Sequence, residues 1–152
     1  MVANTVRSGD STAPLIIIDL LRKVDFLQRF EEEELQRIAH FFEEADVRAG
    51  VRLCEEGAKA ERLYVLEQGE VSISPKYGRR YHINTPGMVI GWSFLVSPFI
   101  YTASVVTVTS SKVLVISNTN FRFFIHAEPR MELKVLSNLT QIIASRLRKH
   151  ED

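Results

Sequence analysis

The stretch from Thr85 to Val105, TPGMVIGWSFLVSPFIYTASV, has the outline of a loop that wraps a phosphate. Gly91 enters a short apolar turn, and Thr102, Ala103 and Ser104 leave it as a small, hydroxyl-bearing run. The stretch carries no charged residue. An anion held there must be met by main-chain N–H groups and hydroxyls, unless Arg79 or Arg80 on the preceding hairpin faces inward; a hairpin arginine is usually solvated.

Elsewhere the residues offer little for catalysis. Cys54 is the single cysteine, so it has no partner for an internal disulfide, and its alternating segment reads as a buried strand thiol rather than a nucleophile. His40, His82, His126 and His150 lack the i, i+4 spacing of a zinc helix. The HAEPR run at 126–130 suits a helix start better than an acid–base pair. Glu31 to Glu34 point to different sides of a helix and read as its solvated start, not as a metal or catalytic cluster. No nucleophile elbow, Walker loop or dinucleotide fingerprint occurs, so no enzymatic activity is expected.

With 19 basic and 19 acidic residues the chain has no global field to gather nucleic acid or an anionic membrane. The apolar run Leu15–Ile18 is broken by Asp19, Arg22 and Lys23 and falls short of the roughly 20 residues a membrane span needs. It has neither a basic leader nor a small-residue cleavage site. A cytoplasmic location with no membrane partner is the resulting expectation.

A length of 152 residues with 45% hydrophobic content predicts one domain around one core. Residues 1–12 are small and polar and are predicted to be a disordered tail, with the domain running over 13–152. Ser11, Thr12 and Pro14 mark the start of a short helix to Val24. The run EEEELQRIAHFFEE then sets Leu35, Ile38, Ala39 and Phe42 on one helical face. From Val47 the pattern alternates, and six glycines from Gly50 to Gly91 punctuate it. The predicted strands are VRLCEE, RLYVLEQ, EVSISP, RRYHIN, ASVVTVT and KVLVIS, a pattern that suits a small barrel or roll. Thr85 to Met88 has proline and glycine where a type II turn requires them.

Helical periodicity returns at Asn118, and a long helix is predicted over 129–150. Leu133, Leu136, Thr140, Ile143 and Leu147 form one stripe; Val135, Leu139 and Ile142 form another. One face can pack on the roll. The other calls for a partner, and a second copy of the same helix, giving a homodimer, is the simplest.

This succession resembles the cyclic nucleotide-binding domain shared by catabolite-activator-type regulators, kinase regulatory subunits and gated channels. The resemblance runs from about Leu21 to Leu147. Its carriers are LRKVDFLQRFEEEELQRIA, then AGVRLCEEGAKAERLYVLEQGEVSI with Gly50, Gly57, Tyr64, Val65, Gly69 and Val71, and then the 85–105 stretch. It implies a mainly β fold with flanking helices: a double-stranded β-helix, or jelly-roll-like β-roll, with N-terminal helices and a long C-terminal helix.

The resemblance also implies a phosphate-binding cassette in which a short helix starts at a glycine, a glutamate accepts from the ribose and an arginine neutralises the phosphate. Gly91 matches the glycine. Trp92 stands at the glutamate position and Tyr101 at the arginine position, so both charges are missing. Thr102 falls where the family often has a small phosphate-contacting hydroxyl residue, and Ala103 and Ser104 fit the segment after it. The implied ligand-binding residues are Gly91, Trp92, Ser93, Tyr101, Thr102 and Ala103.

A charge-assisted hydrogen bond contributes roughly 1.5–3 kcal/mol, so losing two costs affinity for a cyclic phosphate. Trp92 and Tyr101 would supply flat surfaces and single donors instead. The implied function is a stand-alone sensor module that binds cyclic AMP, cyclic GMP or a related compound and signals to a protein partner through its C-terminal helix. The alternative is a ligand-free interaction or dimerisation module, in which Trp92, Phe94, Leu95, Phe99 and Ile100 simply close the mouth of the roll. Family members that bind DNA continue into a helix-turn-helix, whereas this sequence ends at Asp152, so no direct nucleic acid binding is expected. Arg146, Arg148 and Lys149 suit the negative end of the last helix.

Overall fold

The computed structural model describes residues 4–6 and 14–151, with side chains over 14–145. Helix α1, Leu15–Leu21, follows Pro14 and buries Ile17, Ile18, Leu20 and Leu21. A 3-10 turn, Asp25–Leu27, then inserts Phe26 and Leu27 into the core. Helix α2, Glu32–Ala39, opens on a capping box in which the Glu31 N–H donates to Glu34 Oε1 at 2.7 Å. Glu31 to Glu33 are exposed as a solvated helix start requires, but Glu34 is buried and accepts from Lys134 Nζ at 2.6 Å. Burial raises the Glu34 pKa, yet the Lys134 and Glu31 hydrogen bonds and the charges of Lys134 and Arg37 together hold it below the ordinary carboxylate value.

The FFEE end of the predicted second helix is where structure and periodicity part. Residues Glu43–Val47 already form a strand, β2, with Ala45 and Val47 turned inward. Glutamate favours a helix locally, but this segment pairs on one side with β1, Asn4–Val6, and on the other with β9, Ser111–Ser117. Tertiary pairing overrides local propensity. Apart from Asn4–Val6, the tail expected over 1–12 lies outside the described residues.

The remaining strands are β3 (Arg52–Cys54), β4 (Arg62–Gln68), β5 (Val71–Pro75), β6 (Tyr81–Ile83), β7 (Val89–Ile90) and β8 (Ala103–Thr107). Among the described residues they make two antiparallel sheets, ordered β1-β2-β9-β4-β7 and β3-β8-β5-β6. This is the double-stranded β-roll with flanking helices. Four consecutive residues of β4, Leu63 to Leu66, are buried, and one hydrophobic cluster joins them to α1, α2 and the C-terminal helices.

Helix α3, Asn118–Ala127, is capped by Ser117 Oγ, which accepts from the Asn120 N–H at 3.1 Å. Helix α4 follows, Pro129–Glu151. It buries Met131, Val135 and Leu139 and leaves Leu133, Leu136 and Ile143 exposed at 69%, 53% and 44%. Of the two stripes the sequence offered, the one with Val135 and Leu139 packs on the roll, and the one with Leu133, Leu136 and Ile143 lies bare over the described side chains. Two polar side chains fasten α4 to the chain after α1. Asn138 Nδ2 donates to the carbonyls of Phe26 (3.0 Å) and Gln28 (2.7 Å), and Lys134 Nζ donates to that of Arg29 (3.0 Å). No helix among the described residues is long and apolar enough to cross a membrane.

Candidate ligand-binding site

Between the two sheets and the 85–105 stretch lies a cavity of about 470 Å³, within the range of small-molecule sites. Gly91, Trp92, Ser93, Tyr101, Thr102 and Ala103 all line it. They reach it from two places. Gly91, at a left-handed φ of 93°, starts a second 3-10 turn, Trp92–Leu95, and Tyr101 to Ala103 lead into β8.

Gly91 is required here twice over. Its φ disfavours any side chain, and a Cβ would stand 3.0 Å from the Arg62 carbonyl and 3.3 Å from Tyr101 Cε1. The turn closes on itself, Phe94 N–H donating to the Gly91 carbonyl at 3.0 Å and Val96 N–H to that of Ser93 at 3.2 Å. Trp92 and Ser93, the first residues of that turn, line the cavity.

Trp92 does not plug the space. Its half-buried indole meets Phe26 edge-on at 6.5 Å, and Phe26 in turn meets Phe121 at 6.2 Å. Tyr101 departs from the expectation of a free donor. Its hydroxyl donates to the Arg62 carbonyl at 2.5 Å and accepts from the Arg62 N–H at 3.2 Å, so main chain occupies it. What Tyr101 presents to the cavity is ring. Burial, and after it the neighbouring Cys54, push its phenol well above the ordinary value. Cys54 is itself a buried strand residue on the cavity wall, its thiol pushed up to about 12 by burial against the lowering effect of a hydrogen bond with Tyr101. It stays protonated and poorly nucleophilic.

Other candidates fall away from the cavity. Arg79 and Arg80 are exposed and do not line it. His82 is exposed and lies 2.6 Å from Glu70 through Nδ1. Glu128 of the HAEPR run binds Arg37 with both oxygens, at 2.7 and 2.9 Å. No group of three His, Cys, Asp or Glu among the described residues could hold a metal ion.

The charged pair Lys23 and Asp25, from the segment after α1, is among the lining residues that escaped sequence reasoning. They are the charged residues among those lining the cavity. Nothing in their local sequence marks them; they reach the wall because the turn Thr85–Met88, with Gly87 at φ 95°, packs on Lys23.

Residues 44–128 match the sequence model of the cyclic nucleotide-binding domain. The chain belongs to that family. The matched segment contains all six predicted site residues and excludes Lys23 and Asp25. Two cGMP-dependent protein kinases named egl-4, from Caenorhabditis briggsae and Caenorhabditis elegans, are each 28% identical to the chain over 110 residues. The alignment takes in 72% of this chain but only 15% and 14% of the kinases, so the chain spans about one seventh of their length.

Solved structures give the same fold. A cyclic nucleotide-binding domain from Methylobacillus flagellatus superposes with a TM-score of 0.73 at 20% identity, over 89% of this chain and 78% of that one. The N-terminal domain of a transcriptional regulator from Streptomyces coelicolor gives 0.70 at 25%, over 87% and 94%. The Thermus thermophilus catabolite activator protein gives 0.67 at 21%, over 84% and 60%.

Proposed function

We propose that this cyclic nucleotide-binding domain is a non-enzymatic regulatory module that takes a cyclic nucleotide or a related small molecule into the cavity and reports occupancy through α4. The observation that carries the reading is the joint placement of Gly91–Ser93 and Tyr101–Ala103 on the wall of one cavity, inside the family-matched segment. The cavity offers neutral donors and aromatic faces on this side. It suits a flat ligand of low charge better than a polyanion.

A physical connection from cavity to α4 supports the second half. Trp92 touches Phe26, and Asn138 of α4 holds the Phe26 and Gln28 carbonyls. A ligand that displaces the Trp92 turn therefore acts on the segment to which α4 is fastened. The response is a population shift between two poses of α4 and requires the ligand to bind one pose more tightly. The exposed Leu133, Leu136 and Ile143 stripe is the surface through which α4 would pair with a second copy or meet a protein partner.

Calorimetry with cyclic AMP, cyclic GMP and cyclic dinucleotides tests the reading. Saturable heat from at least one of them is expected. No heat at millimolar concentration would sink it in favour of a ligand-free interaction module, which the Tyr101 hydroxyl's engagement with main chain and the bare α4 stripe favour.

A further inference from the structure

We infer that Lys23 is a ligand-contacting residue of this cavity, meeting the negative charge of a singly charged organic anion from the N-terminal segment and not from the 91–103 wall. This rests on the reading of the cavity as a ligand site.

Among the described residues that line the cavity, Lys23 is the only cationic one. It has no ion pair among the described residues. The opposite wall has no charge to offer, and the Tyr101 hydroxyl there is engaged by the main chain of Arg62.

The lysine is also held in place. A Cβ built on Gly87 would fall 2.6 Å from Lys23 Cβ, 3.6 Å from Cγ and 3.4 Å from Cδ, so the stem lies flat on the glycine backbone. Any side chain at 87 would push it off. A stem packed on the Gly87 backbone has less rotamer freedom to lose when its ammonium meets a ligand, which lowers the entropic cost of the contact. Lys23 is exposed at the cavity wall, so its attraction for an anion weakens as salt rises. A single lysine on the wall balances one negative charge and not two. The expected class is therefore a monoanion with a flat unsaturated part, a description that cyclic mononucleotides meet and cyclic dinucleotides do not.

Calorimetry on the full chain with cyclic AMP, cyclic GMP and the uncharged nucleosides adenosine and guanosine, comparing Lys23→Met, Lys23→Arg and the hairpin control Arg79→Met with the unaltered chain, tests this. Lys23→Met is expected to weaken the cyclic nucleotide about tenfold or more and to flatten its salt dependence. Lys23→Arg and Arg79→Met should stay within about threefold, and nucleoside affinity should not move. If the unaltered chain binds a cyclic nucleotide and Lys23→Met binds it equally well, Lys23 is no contact while the cavity reading stands. An equal loss for nucleosides would show that only the stem packs, and would overturn the charge contact. If the unaltered chain binds none of the four, the cavity reading fails and takes Lys23 with it.

Discussion

Tyr101 stands where the family resemblance places a phosphate-binding arginine, and its hydroxyl instead ties β8 to the main chain of Arg62 at the start of β4. Tyr101→Phe removes both hydrogen bonds and leaves a carbonyl unsatisfied, so urea unfolding should show a loss of about 1–2 kcal/mol. Glu67 is a second residue with work outside the cavity. Its Oε1 is buried without a hydrogen-bond partner, and its carboxyl is pushed up to about 7 by burial first, then by the hydrogen bond and charge of Glu44; Asp46 adds to this and Lys112 opposes it. A carboxyl whose folded pKa lies above its unfolded one stabilises the fold fully below the unfolded pKa, and that contribution is lost as pH rises toward 7. Glu67→Gln keeps the neutral form at every pH. Thermal melts should therefore show the variant gaining on the unaltered chain by roughly 2–4 °C between pH 5 and pH 8, a modest figure because the group is partly solvated. Parallel profiles would show that Glu67 is already ionised at pH 5.

At the level of elements, the position of α4 depends on polar anchors as much as on its apolar stripe. Asn138 is buried and donates to the carbonyls of Phe26 and Gln28. Asn138→Ala strands those carbonyls and should cost about 1–3 kcal/mol in urea unfolding. Amide exchange should rise in α4 and around the Asp25–Leu27 turn while β4 and β9 stay protected. Exchange rising uniformly would mean that α4 and the roll unfold as one unit. Phe26, fully buried beneath Trp92 and Phe121, is the apolar part of the same junction. Phe26→Ala should cost about 3–5 kcal/mol, read from the same melts.

For the molecule as a whole, the bare stripe of α4 is an exposed apolar face. Leu133, Leu136, Thr140 and Ile143 recur at the three- and four-residue spacing of a two-helix seam, and all four are exposed. A dimer through this stripe should sediment at twice the monomer mass and fall to monomer with Leu136→Asp. Because residue 136 faces away from the core, the thermal stability of the isolated fold should change little. An unaltered mass would move the dimer contact elsewhere.

The sequence by itself determined the repeating architecture: six of the strands, the glycine turns and the long last helix with its two stripes, while residues 91–93 and 101–103, which meet at one cavity, came from the family resemblance. Those signals are short-range, since periodicity and turn chemistry act over a few residues. It missed three strands: β1, Asn4–Val6, which lies in the stretch expected to be a disordered tail; β2, whose glutamates favour a helix until β1 and β9 pair with them; and β7, whose two residues are too few to show alternation. Only the tertiary structure decided that Tyr101 spends its hydroxyl on Arg62, that Glu67 meets Glu44 across β9, that Asn138 reaches Phe26, and that Lys23 lies on Gly87 beside the cavity. Each of these joins residues far apart in the chain, and their meeting is set by how sheets and helices pack, a choice that leaves no mark in the spacing of neighbouring residues.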